Sequence, residues 1–154
     1  MSQDIGNRRN EAVALSGLGS VSYLTAHFKE ALSYNQRAVP VLHDIGDRLG
    51  EARALSQLAL AERATNNLDK ALEHIEAAVT LSDSIRTNVT SKDLRTSYFS
   101  SNRGQYDLLI NILTSLHQQR PKNGYDTAAF EASERSRART LLEMINESSE
   151  NLRM

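Results

Sequence analysis

The chain has 154 residues, a formal net charge of −1 and 24% charged residues, a balance with no bulk electrostatic pull toward nucleic acid or an anionic membrane. It contains no cysteine, which excludes disulfides, thiolate zinc sites and a cysteine nucleophile. Gly, Pro and aromatic residues are scarce, favouring helices over a sheet. No apolar run approaches the length of a membrane span. The opening Met1-Ser2-Gln3-Asp4-Ile5-Gly6 lacks the basic and apolar parts of an export signal. A cytoplasmic location is therefore expected, and the sequons at Asn88-Val89-Thr90 and Asn146-Glu147-Ser148 read as coincidental.

In chain order, the first feature is a repeat. Residues 5–44 laid on residues 45–84 give 14 identities in 40 positions. A fixed period of this size marks an array in which each unit buries its apolar face only against its neighbours. Each unit reads as two antiparallel helices. In the first, the spacing predicts a helix over Arg8–Thr25, a turn at Ala26-His27 and a second helix over Phe28–Asp44. Pro40 falls inside that second helix and is expected to kink its last turn. Ile5-Gly6-Asn7 and Ile45-Gly46-Asp47 are both expected to stop one helix and cap the next. In the second unit, Ala52, Leu55, Leu58, Ala59 and Glu62 form one stripe. Leu68, Ala71, Leu72, Ile75, Ala78, Val79 and Leu81 form another. The polar turn Thr65-Asn66-Asn67 lies between them, with either Asn able to cap. Gly19/Ala59, Ala31/Ala71 and Ala38/Ala78 are matched small residues, expected where adjacent helices approach closely.

The remainder, residues 85–147, reads as a degenerate, longer third unit. A polar connection, Arg86–Asp93, leads to a long helix with Tyr98, Tyr106, Leu109, Ile110, Leu113 and Leu116 as its apolar members. Gln118–Gly124 breaks it with Pro121 and Asn123-Gly124. A last helix over Tyr125–Glu147 is expected to turn Ala128, Ala129, Ala132, Leu141, Leu142 and Ile145 inward, and residues 148–154 are expected to fray. Taken as a whole, residues 1–154 are expected to form a single all-α, right-handed solenoid of about six helices.

These residues resemble the tetratricopeptide repeat (TPR). Leu15, Leu18, Gly19, Ala31 and Ala38 fill its usual slots in the first unit, and Leu55, Leu58, Ala59, Ala71, Ile75 and Ala78 in the second. The period of 40 and the segment Gly46-Asp47-Arg48-Leu49-Gly50-Glu51-Ala52 resemble a longer variety of the family. The departures are the absence of Trp, Ser22 and Glu62 in place of the first-helix aromatic, and Asn35 in place of another. The resemblance covers residues 4–84. The stretch from Gly124 to Glu143 resembles the segment that closes TPR arrays in bacterial CHAT proteins, ahead of a caspase-like domain. With Asp4-Ile5-Gly6 equal to Asp44-Ile45-Gly46, the chain reads as a fragment of a longer protein.

The family resemblance implies a protein–protein interaction scaffold that binds a partner protein or extended peptide in the groove lined by the first helix of each unit. By repeat position that groove would offer Val13, Ser16, Ser20 and Tyr23, then Arg53, Ser56, Leu60 and Arg63. The two arginines could pair with a carboxylate of an acidic peptide; alternatively Arg63 pairs with Glu62 or Glu51 on a solvated face. The Lys/Asn arrangement that clamps a chaperone's terminal carboxylate is not recognisable. Two other readings are a regulatory solenoid sensing a small peptide signal and a structural spacer that self-associates through its exposed ends.

Other chemistries find little support in the sequence. Arg135, Arg137 and Arg139 do not share one helix face and have flanking acids, Glu131 and Glu143, at pairing distance, so nucleic acid is not an expected partner. His27, His43, His74 and His117 lack metal-ligand spacing. No catalytic constellation or cofactor-binding loop can be picked out, and no enzyme activity, cofactor or membrane partner is expected.

Overall fold

The computed structural model describes the backbone of residues 2–85 and 92–153, with side chains from 3–85 and 98–153. Among the described residues the regular elements are helices: α1 (Ser2–Leu24), α2 (Phe28–Asp44), α3 (Arg48–Ala64), α4 (Leu68–Ser84), α5 (Lys92–Gln119) and α6 (Tyr125–Leu152). The chain divides into two compact units, Met1–Val89 and Thr90–Met154, with the division inside the polar connection expected at Arg86–Asp93. Most of that connection lies outside the described residues.

In the first unit α1 packs on α2, α2 on α3 and α3 on α4, while α1 also touches α3. One turn chemistry is used three times. His27, Asp47 and Asn67 donate their backbone N–H to the carbonyls of Ser22 (2.7 Å), Leu42 (2.9 Å) and Glu62 (2.8 Å). The residue before each donates to Tyr23, His43 or Arg63. This is the Schellman closure, which needs a left-handed residue at its centre. Ala26 (φ 63°), Gly46 (φ 73°) and Asn66 (φ 60°) supply it. The residue that closes one helix also begins the next. Asp47 does so best, since its carboxylate accepts from Gly50 N–H at 3.0 Å, a cap contributing about 1 kcal/mol. Asn67 stands at the equivalent position without a side-chain cap.

The core follows the repeat. Ala12, Leu15, Ala38, Leu42 and Ala54 form a buried cluster, with Tyr34, Val39, Val41 and Ile45 packed around it. The matched pairs Ala12/Ala52, Ala31/Ala71 and Ala38/Ala78 are all fully buried. Two expectations need correction here. Ile5-Gly6-Asn7 does not stop or cap a helix; it lies within α1, because an interior Gly costs only about 1 kcal/mol and nothing there breaks the ladder. Helix α2 runs through Pro40 to Asp44, with the bounds expected from the sequence. Neither Asn66 nor Asn67 caps α4 through its side chain, Asn66 being the left-handed turn residue. Glu62 and Glu51 face His74 (2.7 Å) and His43 (3.2 Å).

In the second unit α5 and α6 pair through a turn centred on Gly124 (φ 80°). Tyr98, Tyr106, Leu109, Leu113 and Leu116 of α5 are buried as expected, together with Leu108 and Ile112. α6 behaves differently from expectation. Ala132 is buried and Ala128 and Ala129 are half-buried, but Leu141, Leu142 and Ile145 are more than half exposed. α6 meets α5 instead through polar groups: Glu143 accepts from Arg103 at 3.1 Å, and the Arg135 guanidinium lies 5.6 Å from the centre of the Tyr106 ring. Helix α6 continues past Ser148 to Leu152, with no Gly or Pro in that stretch.

Candidate functional site: the groove between α1 and α3

Repeating a helix pair sets the first helix of one pair beside the first helix of the next. Between α1 and α3 this leaves a groove of about 410 Å³. Its floor is apolar, from Ala12 and Leu42, both buried. Its walls are Val13, Ser16, Gly17 and Ser20 from α1, and Asp47, Leu49, Gly50, Arg53 and Gln57 from the start of α3. Gly50 allows a close approach at its rim: a β-carbon there would stand 2.7 Å from Asp47 Oδ2 and 2.8 Å from Leu42 Cδ2.

Polar groups cross the groove. Gln57 Nε2 donates to Ser20 Oγ at 2.7 Å, tying α3 to α1. The side-chain oxygen of Gln57 is buried and has no hydrogen-bond partner among the described residues. The groove thus combines an apolar floor for a side chain, hydroxyls and an amide for main-chain groups, and a guanidinium for a carboxylate. Asp47, although on the wall, is committed to capping α3.

Of the residues expected from the sequence, the structure brings Val13, Ser16, Ser20 and Arg53 to this groove. Tyr23, Ser56, Leu60 and Arg63 do not line it. Tyr23 stacks obliquely on Phe28, with ring centres 5.7 Å apart. Ser56 donates to the Ala52 carbonyl of its own helix at 2.8 Å. Leu60 and Arg63 are half-buried and lie seven and ten residues farther along α3 than Arg53, on the same side of the helix but beyond the groove. Gln57 was not among the expected residues. The available signal was its substitution for Gly17 at the matched repeat position, which puts a long amide where the first unit has nothing.

Among the described residues no group of three or more His, Cys, Asp or Glu side chains converges as a metal site. No described helix is long and apolar enough to cross a membrane.

Stacked antiparallel helix pairs with a groove between their first helices define the first unit as a helical repeat array. Residues 10–84 match the family model of the tetratricopeptide repeat, a span running from within α1 to the end of α4. Repeats of this family are generally protein-interaction modules. No curated protein matches the chain.

Proposed function

We propose that the first unit is an interaction scaffold that holds an extended peptide segment of a partner protein in the groove between α1 and α3. The observation that carries this reading is the groove itself, an apolar floor of Ala12 and Leu42 flanked by hydroxyls, an amide and a guanidinium on the first helices of two matched repeats. An extended peptide supplies N–H donors at regular intervals and side chains that alternate in direction, so one residue can fill the floor while a neighbour bonds to Gln57. Arg53 favours a peptide with an acidic residue at one end of the groove. Because the groove is preformed by repeat packing, the scaffold loses little entropy on binding.

The resemblance of the last third to the segment closing repeat arrays in CHAT proteins extends the proposal: the bound partner would be presented to a C-terminal effector domain.

The test is selection of peptides from a random display library on the full chain, then titration of the selected peptides against variants. Arg53→Glu and Gln57→Ala should each weaken binding about tenfold or more. Arg63→Glu, outside the groove, should leave it unchanged. Selected peptides that bind both groove variants as tightly as the parent would refute groove binding.

A further inference from the structure

Asn123-Gly124 lies in the turn that joins α5 to α6, in the unit without the groove. The side-chain amide of an asparagine is attacked by the backbone nitrogen of the next residue when that nitrogen is wet, uncrowded and free of hydrogen bonds. Gly124 meets each condition. Asn123 and Gly124 are both exposed. The main-chain bonds of the turn run from the Asn123 N–H to the Arg120 carbonyl and from the Ala128 N–H to the Gly124 carbonyl, both at 3.2 Å. Among the described residues no acceptor engages the Gly124 N–H. Gly124 has no side chain to obstruct approach, and even a β-carbon there would meet no atom within 4 Å. Other asparagines fail a condition. Those inside helices, such as Asn35, Asn102 and Asn111, are followed by an N–H that belongs to the ladder. Asn66 is followed by the Asn67 N–H, held by the Glu62 carbonyl at 2.8 Å. Asn67 is followed by Leu68, which carries a buried, branched side chain beside its nitrogen.

We propose that Asn123 is a site of spontaneous covalent modification, deamidating through attack of the Gly124 nitrogen on its side-chain carbonyl carbon. The nitrogen gives its proton to hydroxide and bonds to Asn123 Cγ. The Cγ–Nδ2 bond breaks, and the amide nitrogen takes a proton from water and leaves as ammonia. One water molecule then opens the succinimide ring. Addition at Cγ restores the ordinary main chain with an aspartate at position 123. Addition at the main-chain carbonyl gives isoaspartate, with the chain routed through the former side chain and one methylene longer. Water is the only co-reactant, and nothing is oxidised or reduced. Either product puts a negative charge one residue ahead of Gly124, which begins α6, at the positive end of that helix dipole. The α5–α6 turn thus changes charge as the molecule ages.

The test is incubation of the full chain at neutral and alkaline pH, followed by chymotryptic release of residues 117–125 and tandem mass spectrometry. The amide-to-acid mass gain should appear at Asn123 before any other asparagine, as two products separable by chromatography, and faster at the higher pH. Asn123→Gln, whose longer side chain would have to close a larger ring, should remove the gain from that segment while keeping the circular dichroism and Tm of the parent. A synthetic peptide of residues 117–125 sets the rate of the unprotected chain. The folded protein should react within about tenfold of it, as a segment does whose opening costs almost no free energy. A folded rate slower than that, or earlier loss of the amide at another asparagine, would overturn the proposal.

Discussion

Asn35 of α2 lies against the bare backbone of Gly19 of α1. A β-carbon at position 19 would stand 2.9 Å from Asn35 Cγ, well inside ordinary contact. Asn35 is fully buried; its Nδ2 donates to the Ala31 carbonyl at 2.9 Å, and its Oδ1 has no partner among the described residues. The second repeat solves the same contact with Ala59 and Ile75, both fully buried. The first thus holds a polar side chain by leaving the opposite helix without one.

Gly19→Ala should consequently lower stability, although alanine is the better helix former. Overpacking costs about 1–3 kcal/mol, against roughly 1 kcal/mol of gained helix propensity. Urea denaturation of Gly19→Ala, Asn35→Ala and the double variant should reveal a favourable coupling above about 0.5 kcal/mol in the double. A higher midpoint for Gly19→Ala alone would contradict the packing described.

Glu62 and His74 give the first unit a pH-dependent contribution. Glu62 is 2% exposed, and a ring nitrogen of His74 lies 2.7 Å from its carboxylate. That hydrogen bond raises the His74 pKa above its ordinary 6.5, outweighing the lowering by burial. The folded state therefore holds the proton more tightly than the unfolded chain. The resulting stability is fully present below pH 6.5 and is lost as pH rises through the raised folded value. Urea midpoints should fall between about pH 6 and about pH 8, and less steeply in His74→Gln. Equal slopes for the two proteins would dismiss the linkage.

Ala26 holds a left-handed backbone at the centre of the first Schellman closure, where the other two turns use Gly46 and Asn66. The conformation costs a residue bearing a β-carbon about 1–2 kcal/mol. Ala26→Gly should therefore raise stability by about 0.5–1 kcal/mol after the entropy cost of glycine. Asn66→Ala should lower it, since Asn tolerates this conformation better than Ala. Thermal denaturation of the two variants checks the pair, and shifts of the same sign in both would count against the turn geometry.

The bounds of α2, the turn at Thr65–Asn67 and the matched buried alanines were legible because each is local. Turn residues, helical spacing and the repeat all lie within a few residues of the groups they place. Part of the candidate site was legible for the same reason: Ser16, Ser20 and Arg53 follow from repeat position. Gln57 was not, because its role arises from reaching Ser20 on another helix. Leu141, Leu142 and Ile145 make the same point in the second unit. Their spacing places them near one another along α6, but does not say whether anything covers them.

By itself, then, the sequence determined an all-helical chain, its repeat and the residues that share each helix face, because these follow from periodicity and turn chemistry. Only the tertiary structure decided which faces are covered. Ala14, Leu18 and Val21 read the same as Ala54, Leu58 and Ala61, yet one set is bare and the other buried. Burial depends on the element opposite, and a local pattern carries no record of that element.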